Sequence, residues 1–425
     1  MNTSRTGSTA PPPRRSGRRL AGALLAGAVL LGAAGCGSPE AASGSGERKA
    51  GSPAGTTART ALAGLMKPVD SLPKPGPPVD TRAAAGKTVF YVPIALKVGH
   101  FPLVQKNLTT AFERVGVRLH SCDGQGTPSG ISACLDQAVA QKPAAVITDY
   151  VPYELVPTTF EKVRASGIPV YVAGTAAPEG VRQSAAFAFG DPDAHGFTIM
   201  DGLADAVIAD SDGAARVLFL KVMDSASTRR AADRAVEHFR KACPDCRVAV
   251  KEVGLSTMKD VPSLVSSALL TDPSITHVVP EYDTYLSAVV TGLQSVGRTR
   301  DVKIATTGAT LATVQQLKSD DRLLAVVGVN PPYLGWTMAD ATLRMLAGEQ
   351  PPATYPVLAR AFTKDTVDGL ALNPKDEASG RWFGDPAAYQ DIFTGLWGAR
   401  RPRRPHRSNS SGSPSPSGGS RPCAT

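Results

Sequence analysis

From residue 88 to residue 349 the chain alternates between short apolar runs and segments whose apolar residues recur at helical spacing. This constrains the fold more than any other feature of the sequence. The first set is TVFYVPIAL (88–96), VQKNLTTAFERVG (104–116), VRLHSC (117–122), GISACLDQAVAQK (130–142), AAVITDY (144–150), ELVPTTFEKVRASG (154–167), IPVYVAG (168–174) and FAFGD (187–191). After a helical stretch at 195–211 the alternation resumes with ARVLFLKV (215–222) and RVAVKEVG (247–254). It continues through THVVPEY (276–282), VKIATTG (302–308) and LLAVVGVN (323–330) to a last helix, WTMADATLRMLAGE (336–349). Strands apolar along their whole length are buried on both faces, as in a parallel sheet covered by helices. Two successive sets of such units predict an α/β fold of two Rossmann-like lobes with parallel sheets.

The segments outside this region have other compositions. Residues 20–35 are apolar but too short for a membrane-spanning helix, which needs roughly 20 residues. Arg14, Arg15, Arg18 and Arg19 precede them, and no acidic residue occurs before Glu40. A positive start, a short apolar core and small residues before a cut describe a secretory signal peptide. Ala33-Ala34-Gly35 directly before Cys36 resembles a bacterial lipobox, although Ala33 stands where Leu is usual and the nearest leucine is Leu31. The expectation is a leader over 1–35 and lipidation of Cys36; two acyl chains suffice for stable attachment to the outer face of the cell membrane. Residues 36–86, rich in Ala, Gly, Ser and Pro, read as a disordered tether. Residues 399–425, arginine-rich and nearly free of large apolar residues, read as a disordered basic tail.

The formal charge of +9 raises the question of nucleic acid. Five arginines lie in the leader and six in the tail, so the remainder holds 35 basic against 37 acidic residues. A near-neutral body offers no basic face, and no nucleic-acid partner is expected. The six cysteines of an exported chain suggest disulfides. With Cys36 assigned to lipid and Cys423 alone in the tail, Cys122 pairs with Cys134, and Cys243 with Cys246. The CPDC at 243–246 could also be a redox or zinc motif. It follows a helix-like stretch instead of opening one, and no second CxxC or HxxxH supplies further metal ligands, so a structural bridge is favoured.

No motif for nucleotide, phosphate or metal binding appears, nor a nucleophile elbow, and the six histidines lack ligand spacing. No enzymatic activity, cofactor or metal is expected. A secreted hydrolase on an α/β scaffold is the remote alternative, since triads assemble from distant positions. What remains are polar and aromatic residues at the carboxyl ends of strands, where open α/β sheets bind ligands.

The order and spacing of VGHFPLVQKNLTTAFERVGVRL, KPAAVITDY, SGIPVYVAG, FAFGDPDAHG, EYDTYLSAVVTGLQSVG, VKIATTGAT and LLAVVGVNPPYLGWTMADATLRMLAGEQPP resemble the type I periplasmic (solute) binding proteins of sugar ABC transporters, the ribose-binding-protein-like group. The resemblance covers about residues 87–363. It implies two lobes joined by three hinge crossings, with one lobe of 87–190 and 331–353 and another of 191–330 and 354–363. Residues 364–398 are left as an extension that folds back on a lobe. It also implies a monomer that captures a small molecule between its lobes and delivers it to an ABC permease; a ligand sensor for a membrane signalling partner is the alternative. Carried over by position, the ligand residues are His100, Phe101, Asp191, Tyr282 and Asp283. Thr307 stands where the family has Asp, and Asn330 lies beside Val329, which replaces a Gln. The family's Asp-Arg pair is here Ala173-Gly174. Tyr150, Tyr153 and Tyr282 would widen the aromatic lining. With so many sugar-gripping groups replaced, the ligand need not be a simple hexose or pentose.

Overall fold

The computed structural model describes residues 51–190 and 192–398. The expectations for the leader, Cys36, Asp191, the tail and Cys423 lie outside the described residues.

An N-terminal helix, α1 (Pro53–Leu65), precedes the first α/β unit. That unit runs β1 (Thr88–Pro93), α2 (His100–Glu113), β2 (Arg118–Ser121), α3 (Pro128–Gln141), β3 (Ala145–Asp149), α4 (Pro157–Ala165), β4 (Val170–Ala173) and β5 (Phe187–Phe189). The second runs α5 (Pro192–Asp210), β6 (Arg216–Val222), α6 (Ala226–Ala242), β7 (Arg247–Val253), α7 (Val261–Thr271), β8 (His277–Pro280), α8 (Leu286–Ser295), β9 (Lys303–Thr307), α9 (Leu311–Ser319) and β10 (Leu323–Val329). The chain closes with α10 (Pro331–Leu346), β11 (Ala359–Phe362), α11 (Lys364–Val367), α12 (Pro374–Ser379) and α13 (Pro386–Leu396).

The strands form two sheets, as the alternation predicts. The first is parallel throughout, in the order β2-β1-β3-β4-β5. The second has the order β11-β10-β9-β8-β6-β7, and only β11 is antiparallel. The physical reason for that reversal is connectivity. The chain leaves the sheet at Val329 for α10, which packs on α2 of the first unit, and returns at the same end of β10, where Ala359 pairs with Val329. It can then only run back along β10.

Apolar packing follows the faces of the sheets. Phe90, Val92, Val146, Val170 and Phe187 pack with Leu135 and Phe160 of α3 and α4. Val89, Tyr91, Ile147 and Tyr171 belong to the cluster that includes Val104, Leu108, Trp336 and Leu343 of α2 and α10. That cluster also takes in Leu218, Val278 and Ile304 of the second sheet. A third core joins the opposite face of the second sheet to Ala58 of α1, Leu203 and Val207 of α5, and Phe239 of α6.

Both ends of the described chain depart from a bare two-lobe body. Residues 51–86, expected as a tether, are folded. Ser52 caps α1 by accepting the Gly55 N–H at 2.9 Å, Pro53 opens it, and Ala58 is buried. Alanine is the best helix former, and its small side chain lets α1 lie close on α5. Composition suggested a solvated linker, but these residues have tertiary partners. Farther on, the Val69 N–H donates to the Phe383 carbonyl at 2.8 Å and the Val79 N–H to the Leu396 carbonyl at 2.9 Å. At the other end Tyr389, Phe393 and Trp397 are buried, and the Trp397 ring stacks on Trp336 of α10 at 5.5 Å. Cys122 is bonded to Cys134 and Cys243 to Cys246, with Cα separations of 5.6 and 5.3 Å.

Candidate functional site

Helix α2 begins at His100, four residues before the start that the sequence pattern suggests. Pro102 reads as a breaker but lies in the first turn, where backbone N–H groups have no intrahelical partner and proline is tolerated. This places His100 and Phe101 at a helix start beyond the end of β1. Tyr150 follows the last residue of β3 and joins them. The three rings meet edge to face, with centroids 5.2 Å apart for His100 and Phe101, 5.7 Å for His100 and Tyr150, and 5.9 Å for Phe101 and Tyr150.

The backbone at Tyr150 is in the left-handed region, with φ 54°, which is uncommon for a bulky side chain. Such outliers collect at ligand clamps and switches. The Tyr150 ring lies against Gly174, where a Cβ would come within 2.6 Å of it. Gly174 is one of the two residues that replace the expected Asp-Arg pair, so the aromatic ring from the neighbouring strand end fills the space a charged pair would need. The register of Asp149 with Ala173 brings these two strand ends side by side.

The second unit contributes Tyr282 and Asp283 from the end of β8. Burial drives the Tyr282 hydroxyl well above its usual range, and the charges of Glu281 and then Tyr150 add to the rise. Asp283 accepts the Thr313 hydroxyl at 2.6 Å, and burial pushes its carboxyl up to about 6. Gly308, at φ 89°, leaves the room that carboxyl needs. A Cβ added at Gly99 would meet the Thr310 methyl at 3.6 Å, so the edges of the two units come close here.

Two expected contacts have other partners. The Thr307 hydroxyl donates to the Glu281 carbonyl at 2.6 Å and is buried. Asn330 caps α10: its Oδ1 accepts the Tyr333 N–H at 3.3 Å and its Nδ2 donates to the Gly380 carbonyl at 3.3 Å. A strand-end threonine bonded to its neighbour strand and a helix-cap asparagine explain their presence without a ligand. Tyr153 stacks on Phe160 at 5.3 Å and donates to Glu161, which makes it packing of α4.

The sequence reading missed two carboxyls. Asp149 and Glu281 are both fully buried, each directly before a tyrosine that follows its strand. Asp149 Oδ2 accepts the Tyr91 hydroxyl at 2.7 Å, and Glu281 Oε2 accepts the Val222 N–H at 2.7 Å. Asp149 Oδ1 has no hydrogen-bond partner in the protein, whereas Glu281 also has the Tyr282 hydroxyl as a hydrogen-bonding neighbour. Burial pushes Asp149 up to about 7 and Glu281 well above the carboxylate range. The available signal was an acid-tyrosine pair closing an apolar run, DY at 149–150 and EY at 281–282. Also missed were the walls of a pocket between the units, which include Tyr171, Gly190, His195, Thr337 and Tyr355 together with Tyr150.

Chemically, the arrangement has rings for stacking and buried acceptors. Among the described residues no three His, Cys, Asp or Glu side chains are grouped to hold a metal ion.

The periplasmic binding protein domain model matches residues 89–350. No curated protein sequence matches the chain. Among solved structures, the 5-methylthioribose transporter solute-binding protein of Thermotoga lettingae, in complex with 5-methylthioribose, aligns at 16% identity with a TM-score of 0.61. That alignment covers 78% of this chain and 100% of the other. An ABC sugar transporter subunit from Rhodobacter sphaeroides aligns at 20% identity and TM-score 0.56, over 66% and 99% of the two chains. An ABC transporter solute-binding protein from Agrobacterium vitis with bound allitol gives 20%, 0.57, 67% and 98%. At such identities these structures speak for the fold.

Proposed function

The chain belongs to the periplasmic binding protein family, and on that premise we propose that it is the extracytoplasmic solute-binding component of an ABC importer. It captures a small, sugar-like molecule between its lobes and presents the liganded form to a permease. The observation that carries this reading is a pocket with walls from both units, Tyr150, Tyr171 and Gly174 of the first and His195 of the second, beside the edge-to-face cluster of His100, Phe101 and Tyr150. Parallel sheets bind ligands outside their carboxyl ends, and apolar sugar faces suit aromatic rings. The allitol and 5-methylthioribose bound in two of the structural neighbours agree with a ligand of this size.

In this reading the chain passes between lobes near 189–192, 329–331 and 354–356, and the lobes close by bending there. Cys36 carries the lipid that holds the protein at the outer face of the membrane. Processed Cys36→Ser protein should leave the membrane fraction; its full retention there would exclude the anchor. The binding test is a thermal-shift screen of sugars, polyols and nucleosides, followed by small-angle scattering with the best hit. A ligand at a hundred times its Kd adds about 2.7 kcal/mol to stability, which a melting curve resolves. The protein should contract on binding. Phe101→Ala and Asp283→Ala should each weaken affinity about tenfold or more, since a stacking face or a charged acceptor worth about 1.5–3 kcal/mol is lost. Tight binding to both variants, with no contraction of the wild type, would place the ligand elsewhere.

A further inference from the structure

The pocket between the units shares residues with the crossings that join them. In the reading above the chain passes between the lobes at three places, and one residue from each, Gly190, Val329 and Tyr355, lines the pocket. A group that fixes one of these residues bears on the pocket and on lobe bending together. For Tyr355 that group is Asp340 of α10, whose Oδ2 accepts the Tyr355 hydroxyl at 2.8 Å. Leu334, Thr337 and Met338 of the same helix form more of the pocket wall.

Asp340 is fully buried, and both of its oxygens are engaged. Oδ2 also accepts from Arg344 Nε at 2.8 Å, while Oδ1 accepts from Trp397 Nε1 at 2.7 Å and from Arg344 Nη2 at 3.5 Å. Burying a carboxylate is costly unless its oxygens stay hydrogen-bonded, so the group follows a donor that moves. A carboxylate is planar and rigid. Turning it after the Tyr355 hydroxyl draws Oδ1 away from Trp397. Past Asp340, three more bonds lead to the N-terminal segment. Arg344 Nη2 donates to the Pro77 carbonyl at 2.8 Å, the Thr81 hydroxyl to the Trp397 carbonyl at 3.1 Å, and the Val79 N–H to the Leu396 carbonyl at 2.9 Å. Residues 77–81 lie in no helix or strand, so their backbone is placed by contacts of this kind.

We propose that Asp340 is a positioning residue that holds Tyr355 as a pocket wall and ties that wall to residues 77–81 and 396–397. A solute seated against Tyr355 thereby alters the hold on both terminal segments. The proposal rests on the reading of the pocket as the ligand site. It adds a route from that pocket to the terminal segments, in which each step is a direct hydrogen bond.

Coupling of this kind is reciprocal, so hydrogen–deuterium exchange of the exported full chain, with no solute added, tests it from both ends. Tyr355→Phe removes the hydroxyl and keeps the ring. Exchange in residues 77–81 should then quicken about tenfold, the worth of one bond to a charged group. Trp397→Phe takes a donor from the carboxylate and keeps an aromatic ring on Trp336. Exchange should then quicken at the crossings, where the Gly190 N–H is bonded to the Val172 carbonyl at 2.8 Å and the Asn330 N–H to the Leu358 carbonyl at 3.0 Å. Two controls lose a hydroxyl that does not touch Asp340. Tyr333→Phe frees the Pro356 carbonyl and Tyr389→Phe the Ser379 carbonyl, and neither should change exchange at the far end. Quickening confined to the substituted end, or equal in the controls, would overturn the link. A uniform rise that includes β3 would overturn it as well, because the bonds would then hold the fold as a whole. Since no solute is present, failure here leaves the solute-binding reading standing, and the thermal-shift screen decides that reading separately.

Discussion

At the scale of single residues, Tyr150 and Gly174 define the cleft. Each has positive φ, and the ring of one occupies the space a side chain on the other would fill. Gly174→Ala should therefore cost more than backbone strain alone. Gly167 is the control: its φ is 77°, and a Cβ there meets nothing within 4 Å. Gly167→Ala should cost about 1 kcal/mol, and Gly174→Ala about 1–3 kcal/mol beyond it. Urea unfolding measures both. The excess should vanish in a Tyr150→Ala background, and persistence there would show that the ring is not the obstacle.

At the scale of elements, the packing of α5 on α6 contains a titrating link. His238 of α6 lies 2.8 Å from Asp205 and 3.2 Å from Asp201 on α5, and hydrogen bonds to Asp201 and Asp205 raise its pKa to about 9. In the unfolded chain the ring titrates near 6.5. The folded state therefore holds a proton between those values that the unfolded state has lost. The stabilisation is complete below about pH 6.5 and is lost as pH rises through about 9. Chemical denaturation across this window should show stability declining for the wild type and a flatter profile for His238→Gln. Equal slopes would exclude the link. A different element, α10, holds a buried ion pair of Asp340 and Arg344 at 2.8 Å, and Asp340 also accepts from Tyr355 at 2.8 Å and Trp397 at 2.7 Å. Because Arg344 donates to the Pro77 carbonyl at 2.8 Å, this one carboxylate organises both terminal segments on the helix.

At the scale of the whole molecule, the terminal segments add bridges between the lobes. Helix α12 lies on α2, where Asn107 donates to the Ala378 carbonyl at 3.0 Å, while Glu377 of α12 accepts the Leu311 N–H at 2.6 Å from the start of α9. Arg360 of β11 donates to the Met66 carbonyl at 2.8 Å and also to the Trp382 carbonyl. Opening the cleft must break or carry these contacts. Glu377→Ala removes the acceptor at α9 while leaving α12 on α2. Small-angle scattering of this variant should give a larger radius of gyration than the wild type. Superimposable curves would show that α12 does not restrain the lobes.

Much of the architecture was legible without coordinates, because continuous apolar strands and helical spacing are local signals that a parallel α/β fold must carry. The placement of Tyr150 and Tyr282 at the ends of strand runs follows from those signals, and so does the pairing of Cys122 with Cys134 over a short loop, whereas the helix start at His100 and Phe101 does not. Tertiary structure decided what each polar group does. Nothing in the sequence distinguishes a Thr307 hydroxyl facing a ligand from one bonded to the Glu281 carbonyl, or an Asn330 amide in the cleft from one that caps α10. The same local pattern serves both roles. Residues 51–86 read as a linker because their composition is weakly apolar; the docking surface on α5 and the carbonyls of Phe383 and Leu396 lie far away in sequence. Asp149 and Glu281 became candidates only once burial was known. An acid at a strand end costs nothing in water, and the same acid with an unpartnered oxygen inside a fold demands a partner.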